Sequence, residues 1–231
     1  MRLHLNWTAI CALTALAACQ AGSASLETDD EIASYGFGLD IGLSLEPTVT
    51  HLDRDALMRG ILDALDGTDP AISQAELVEV TQRVSTLIRE EQAAEFEAMT
   101  ESNRVAGEEF LAENATKEGV TVTASGLQYE VLLAGGTEGA LPTPANRVSI
   151  HYRGTLIDGT EFDSSYSRGQ PATFGVTQVI PGFSEALQLM AVGSHYRFYL
   201  PSDIAYGPQG SGAIIGPNAT LIFEIELIEI L

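Results

Sequence analysis

Apolar side chains recur at helical spacing in the first half of the chain. Leu57, Ile61 and Leu65 follow one another on one helical face, which predicts a short helix over residues 53–65. Residues 31–45 are dotted with glycine but remain compatible with a helix. These apolar stripes are narrow, so the segment is expected to be helical without forming a large core of its own.

A long helix is predicted to follow. Ser73-Gln74-Ala75-Glu76 fits a capping box, in which the first and last side chains satisfy backbone N–H groups at the start of a helix. The pattern runs to about Glu118 without a proline, and its polar second half is typical of a helix that connects domains through solvent. Because the small apolar stripes need further burial, we predict a helical dimerisation domain over residues 31–118 and a homodimer.

From Val120 onward the pattern changes to the alternation of strands. In residues 147–156, Val148, Ile150 and Tyr152 point to one side and polar residues to the other. Similar patterns predict strands over 126–132, 195–200 and 219–231, and apolar residues at helical spacing predict one short helix over 183–190. The side chains of the last strand that are expected to point inward are Leu221, Phe223, Ile225 and Leu227. Several antiparallel strands with one helix against a sheet face indicate an α+β fold.

The charge of the chain narrows the classes of function. The 231 residues carry a net charge of −21, and Lys117 is the sole lysine. Binding to nucleic acid needs clustered Lys and Arg, so a nucleic-acid partner is excluded. The acidic excess is larger before residue 118 than after it. This shift in composition indicates a domain boundary there, with a second domain over residues 119–231.

The N-terminus has the pattern of an export signal. Residues 8–18 are apolar but too short to span a bilayer, and they follow a positive start at Arg2. Leu16-Ala17-Ala18-Cys19 resembles the bacterial lipobox, in which cleavage precedes a cysteine whose sulfur is then lipidated. We therefore predict a lipoprotein signal peptide over residues 1–18 and a lipid anchor on Cys19. The alternative is a plain signal peptide with an incidental cysteine.

The predicted anchor also predicts a location. A lipid anchor attaches a soluble body to the membrane without spanning it. Gln20, rather than aspartate, follows the cysteine, and this favours the outer membrane over retention at the inner membrane. Residues 19–30 have the composition of a flexible tether. We expect a protein of the bacterial cell envelope that faces the periplasm.

Several motifs stand in order in the second half of the chain. They are Val148–Gly154 with Leu156–Ser165, then Val179–Phe183, Ile204–Gly207 and Ile214–Leu227. In order and spacing they resemble the FKBP-type peptidyl-prolyl cis-trans isomerases. The first half resembles the helical N-terminal domain of the Mip and FkpA subgroup through residues 34–42, 59–65 and the long helix that enters Gly126–Tyr129.

The resemblance implies a fold and an activity. The fold is an antiparallel twisted sheet wrapped on one short helix, preceded by an all-α domain with a long linking helix. The activity is rotation about Xaa-Pro bonds of unfolded or maturing envelope proteins, so the expected partners are proline-containing unfolded polypeptides. Macrolide inhibitors are further expected ligands of the same pocket. The reaction needs no cofactor and no metal, and the chain has only four histidines and no His/Cys-rich tail.

The resemblance also implies roles for individual residues. The backbone N–H of Ile180 and the hydroxyl of Tyr206 would bind substrate carbonyls, and Asp163 would lie near the rotating carbonyl and pair with Arg168. The proline pocket would be lined by Tyr152, Phe162, Val179, Ile180, Phe183, Ile214, Ile215 and Phe223.

Three positions depart from the usual family pattern. Phe183 stands where tryptophan is usual, Ala172 where an aromatic residue often shapes the rim, and Ser211 near a position where some members carry histidine. A phenylalanine still offers an apolar pocket floor. These departures bear on macrolide affinity more than on isomerase activity.

Two other classes of function stay open at this point. A dimer with two pockets could act as a chaperone, or binding module, for unfolded envelope proteins with little or no isomerase activity. A lipid-anchored adhesin or virulence surface protein is a third hypothesis. An isomerase is the expectation that the ordered motifs favour.

Overall fold

The computed structural model of the protein describes residues 25–136 and 140–231. The predicted signal peptide and the predicted lipidation site at Cys19 lie outside these ranges. Within them the chain forms two compact units, of which the first ends at Val84 and the second runs from Ser85 to Leu231. In the described ranges, no helix combines the length and the apolar character that crossing a membrane requires.

The first unit is helical. Helix α1 spans Asp29–Ser44, a 3-10 helix spans Glu46–His51, and α2 spans Arg54–Leu65. The start of α1 is set by Thr28, whose hydroxyl accepts from the N–H of Glu31 at 3.3 Å while the carboxylate of Glu31 accepts from the N–H of Thr28. This reciprocal cap places the helix start two residues before residue 31, where the helical domain is predicted to begin.

The long helix α3 spans Gln74–Asn114 without a break, so the prediction of a long helix is confirmed. Ser73 caps it by accepting a hydrogen bond from the N–H of Glu76 at 3.2 Å. The helix ends before the predicted Glu118 because the side chain of Asn114 turns inward and donates to Gln128 at 2.9 Å. Gly119, with φ of +85°, then turns the chain toward the sheet.

The second unit is built on one antiparallel sheet. Its strands are β1 (Val120–Val122), β2 (Gln128–Leu133), β3 (Arg147–Leu156), β4 (Glu161–Ser164), β5 (Ala172–Gly175), β6 (His195–Leu200) and β7 (Leu221–Ile230). The order is β1-β2-β6-β7-β3-β4, and β5 pairs with the first part of β3. The predicted α+β fold is confirmed.

A single helix covers the inner face of this sheet. Helix α4 spans Pro181–Gln188, and its apolar side presses Phe183 and Leu187 into the core. The alternation in the sequence predicts which faces of β3 and β7 point inward, and the burial of these side chains confirms it. The buried residues are Val148, Ile150 and Tyr152 of β3 and Leu221, Phe223, Ile225 and Leu227 of β7. The last turns of α3 contact the sheet through Phe110, whose ring lies 5.8 Å from that of Tyr199. The core therefore lies between α4 and the long central strands.

Candidate active site

The strand register brings the predicted pocket residues together at one end of the sheet. Gly154 of β3 pairs with Asp163 of β4 on one side and with Phe223 of β7 on the other. Phe162 adjoins Asp163 in β4, so its ring and that of Phe223 meet over the glycine, with centroids 5.5 Å apart. Strands β4 and β7 thus supply the two rings of this cluster, and β3 supplies the glycine between them.

A cavity of about 300 Å³ opens beside this cluster. Its wall includes the predicted residues Phe162, Asp163, Tyr206, Ile214, Ile215 and Phe223, together with Ser211, Gly212 and Ala213. The structure therefore places Ser211, one of the departures from the family pattern, on the cavity wall.

The other predicted pocket residues do not line this cavity. Phe183 is buried, with its ring 4.9 Å from that of Phe223 and 6.1 Å from that of Tyr152. Val179 and Ile180 are half-buried where α4 begins and pack against the core, and they are not among the residues that line this cavity. Their contact with a substrate stays a prediction.

Within residues 25–136 and 140–231, two donors that the resemblance assigns to substrate binding have no protein acceptor. Ile180 precedes Pro181 at the start of α4, and its carbonyl accepts from Ser184 at 3.0 Å. Within the described part of the chain, the N–H of Ile180 and the hydroxyl of Tyr206 make no hydrogen bond. Tyr206 also lines the cavity and is 39% exposed. The Tyr206 hydroxyl is consequently available to a ligand carbonyl at the cavity, whereas the same role for the Ile180 N–H stays a prediction.

Asp163 is held by two neighbours at the cavity edge. Its carboxylate accepts a short hydrogen bond from the hydroxyl of Tyr152 and another at 2.5 Å from Arg168. Arg168 also donates to the Tyr152 hydroxyl at 2.7 Å and lies over the ring of Tyr152. The predicted pairing of Asp163 with Arg168 is thus present, and the side chain of Asp163 is fixed from two directions.

These contacts determine the charge of the site. Burial alone would raise the pKa of Asp163, but the hydrogen bonds from Tyr152 and Arg168 and the charge of Arg168 lower it below the usual 3.8. Burial, and then the hydrogen bond to Asp163, raise the pKa of Tyr152 to about 12. At neutral pH the site therefore holds an ionised carboxylate and a neutral phenol.

The same pKa shifts predict how stability depends on pH. The lowered pKa of Asp163 stabilises the fold above pH 3.8, and this stabilisation is lost as pH falls through the lower folded-state value. The raised pKa of Tyr152 stabilises the fold below pH 10, and this stabilisation is lost as pH rises toward about 12. We expect the difference in unfolding free energy between wild type and Tyr152→Phe, measured in urea, to be constant between about pH 5 and 9. A change in that difference near pH 7 would contradict the assignment.

Gly154 is a site residue that the sequence reasoning did not single out. A Cβ at this position would lie 2.6 Å from the ring of Phe162 and 2.9 Å from that of Phe223. Both rings can therefore close over the strand only because residue 154 lacks a side chain. The available signal was a glycine in the middle of a long strand, which often marks a close approach.

The glycine yields a prediction about the pocket. Gly154→Ala should displace the partly exposed Phe162 ring and lower catalytic efficiency by about tenfold, because the overpacking strain is about 1–3 kcal/mol. The measurement is kcat/KM on an Xaa-Pro peptide. Gly136→Ala is the control, because a Cβ there would meet nothing within 4 Å. Equal kcat/KM for Gly154→Ala and wild type would show that the ring contact is dispensable.

Comparison with protein families identifies two matching segments. Residues 139–228 match the family model described as FKBP-type peptidyl-prolyl cis-trans isomerase. Residues 30–131 match the model described as the domain amino terminal to FKBP-type peptidyl-prolyl isomerase. The two matches follow one another in the order that the motifs predict.

Individual proteins are similar over most of the chain. The "Outer membrane protein MIP" of Legionella longbeachae is 41% identical, with 100% of this chain and 98% of that protein covered. The "FKBP-type 22 kDa peptidyl-prolyl cis-trans isomerase" of Escherichia coli K12 is 47% identical, with 90% of this chain and 98% of that protein covered. The crystal structure of FkpA from Escherichia coli aligns with a TM-score of 0.67 at 32% identity, and covers 89% of this chain and 98% of that one.

Proposed function

This chain belongs to the FKBP-type peptidyl-prolyl cis-trans isomerases, and from that premise we propose that the cavity beside Phe162 and Phe223 binds the proline ring of the substrate. The observation that carries this proposal is that aromatic and aliphatic side chains meet the fixed Asp163 carboxylate and the Tyr206 hydroxyl in one cavity wall. The substrates of such an enzyme are proline-containing polypeptides.

The chemistry requires a site that prefers a twisted amide. Resonance opposes rotation about a peptide bond with a barrier of about 18–20 kcal/mol. An Xaa-Pro bond has nearly balanced cis and trans states, yet they interconvert over tens to hundreds of seconds. A site lowers the barrier when it binds the twisted form more tightly than the planar form. Because the twisted carbonyl has lost resonance and is less polar, an apolar cavity favours it.

Asp163, Tyr206 and Ile180 have distinct proposed roles. Resonance places extra negative charge on the oxygen of the planar amide, so the Asp163 carboxylate beside that oxygen opposes the planar form more than the twisted one. The Tyr206 hydroxyl and the Ile180 N–H would hold flanking carbonyls, which keeps the substrate in place while the bond rotates. The rings of Tyr152, Phe162, Phe183 and Phe223, with Val179, Ile214 and Ile215, would supply the apolar surroundings.

A protease-coupled assay on a short Xaa-Pro peptide tests this proposal. The chain from Gln20 onward should accelerate cis-to-trans conversion over the uncatalysed rate, and Phe162→Ala should remove most of that acceleration. Phe96→Ala is a matched control, because this ring on α3 is 47% exposed and outside the cavity. A folded sample that isomerises peptides equally well with Phe162→Ala would place the site elsewhere.

The comparisons bear on the choice between an isomerase and a chaperone without isomerase activity. The relatives above carry isomerase or outer-membrane names, and nothing in the comparisons favours the chaperone alternative. We therefore propose that the enzyme assists the folding of envelope proteins in the periplasm.

We also propose attachment to the outer membrane through Cys19. The name of the Legionella longbeachae relative includes the outer membrane, and the lipobox supports the anchor. Labelling of cells with a radioactive fatty acid should mark wild type and leave a Cys19→Ser variant unlabelled. Label on the Cys19→Ser variant would contradict the proposed anchor.

The helical unit supports the proposal of a homodimer through residues 31–118. No residue of α1, the 3-10 helix or α2 is buried, and an apolar groove of about 750 Å³ runs between them. Phe37 and Ile41 line the groove and are exposed. Exposure of these apolar side chains to water is unfavourable in free energy. A second copy of the same helical unit would cover them and remove that cost.

Sedimentation velocity tests the dimer. Wild type should sediment as a dimer, and Phe37→Glu should sediment as a monomer because a buried, unpaired carboxylate is costly. Leu133→Glu is the control, since that side chain is exposed on β2, outside residues 31–118. A monomeric wild type at micromolar concentration would contradict the dimer.

A further inference from the structure

A small hairpin forms the outer wall of the proposed proline pocket. The backbone groups of Ser211 and Ile215 bond to each other in both directions, at 2.8 and 3.2 Å. Ile214 at its tip lines the cavity and is 49% exposed, and Ile215 is buried. The hairpin base is closed by a bond at 2.9 Å from the N–H of Asn218 to the carbonyl of Gly207. These bonds define the shape of the hairpin, but its position depends on what it rests against.

The outer side of this hairpin base rests against helix α3. The side-chain amide of Asn103 donates to the carbonyl of Pro217 at 2.8 Å, across 114 residues of sequence. The side chain of Asn218 in turn donates to the carbonyl of Thr100 at 3.5 Å. Asn218 holds a positive φ of 54° in this position. Hydrogen bonds in both directions therefore join one turn of α3 to two successive residues of the wall segment.

The backbone between these contacts comes unusually close to the helix. A Cβ at Gly216 would lie 3.0 Å from the side-chain nitrogen of Asn103 and 3.1 Å from the sulfur of Met99. The absence of a side chain at Gly216 permits this approach, which brings the Pro217 carbonyl within reach of Asn103. Gly216 directly follows Ile215, so any shift at this contact is passed to the cavity wall.

We propose that Asn103 is a positioning residue for the active site: through Pro217 it holds the Ile214–Ile215 wall at the distance that suits the substrate side chain next to proline. This inference rests on the proposed assignment of the cavity as the proline pocket. Asn103 does not line the cavity, so its influence on the substrate is exerted through the hairpin. The consequence is that a residue of the long helix contributes to substrate selectivity.

Selectivity between peptides tests this role. Asn103→Ala and Asn103→Asp both remove the donor, and the aspartate keeps the shape of the side chain. We expect each to raise KM by about 3- to 10-fold, the value of one hydrogen bond, with little change in kcat. The ratio of kcat/KM for Leu-Pro and Ala-Pro peptides should change as well, because the wall has moved. Ser102→Ala, an exposed neighbour on the same helix, should match wild type in both quantities.

A merely structural role would give a different result. It would lower the melting temperature of the Asn103 variants and leave KM and the peptide ratio at wild-type values, which would overturn the proposal. Gly216→Ala disturbs the same contact from the hairpin side. If an Asn103 variant fails to fold, a folded Gly216→Ala protein must still change the kcat/KM ratio for Leu-Pro and Ala-Pro peptides. If Phe162→Ala leaves wild-type kinetics unchanged, the pocket assignment itself has failed, which is a separate outcome.

Discussion

Asp163→Ala is expected to lower kcat/KM on an Xaa-Pro peptide by about 10- to 100-fold, the value of a hydrogen-bonded charge in a partly buried site. Asp163 is the ionised group at the cavity edge, fixed by Tyr152 and Arg168. Its removal takes away the negative charge that opposes the planar amide, and leaves Arg168 without its carboxylate partner. The protease-coupled assay measures the loss directly.

Several variants separate charge from shape. Asp163→Asn keeps the size of the side chain and should still lose most of the activity, whereas Tyr152→Phe should lose less because Arg168 continues to hold the carboxylate. Glu229→Ala removes an exposed carboxylate of β7 away from the cavity and should be neutral. Full activity in Asp163→Asn would mean that the carboxylate charge has no part in catalysis.

Phe223→Ala is expected to have the largest effect on stability, a loss of about 3–5 kcal/mol in unfolding free energy. The ring is 5% exposed and packs between those of Phe162 and Phe183, at 5.5 and 4.9 Å. Truncation would leave a cavity where the sheet, the helix and the pocket meet. Urea unfolding followed by far-UV circular dichroism measures the loss.

The neighbouring ring provides the comparison. Phe162 is only half-buried, so Phe162→Ala should cost much less stability while it removes the outer aromatic wall and most of the activity. The two variants should therefore differ in stability and agree in lost activity. Equal stability of Phe223→Ala and wild type would contradict the placement of this ring in the core.

The central strands show how much of the fold could be predicted from sequence. The bounds predicted for β3 and β6 coincide with the structure, because side chains of a strand alternate between a buried and an exposed face. The inward faces of β3 and β7 were predicted for the same reason. Helix α3 was predicted from its cap and its lack of proline. Its end at Asn114 was not predicted, because it is set by a hydrogen bond to Gln128 of β2, which is a tertiary contact.

The site could be predicted only in part. The residue types of the pocket followed from ordered motifs, and the structure brings six of the predicted residues to one cavity. Gly154 was missed because its role lies in the absence of a side chain between two rings from other strands. Asn103 was missed because nothing near it in sequence indicates Pro217 as its partner.

The sequence by itself determined the features that depend on local order: the periodicity of helices and strands, the caps, the acidic charge, and the order of the isomerase motifs. Tertiary structure alone decided which side chains meet. The register of β3 with β4 and β7 brings Phe162 and Phe223 over Gly154, and the approach of α3 to Gly216 sets the hydrogen bond of Asn103. Such contacts join residues far apart in the chain, so they depend on the packing of the whole unit and not on any local pattern.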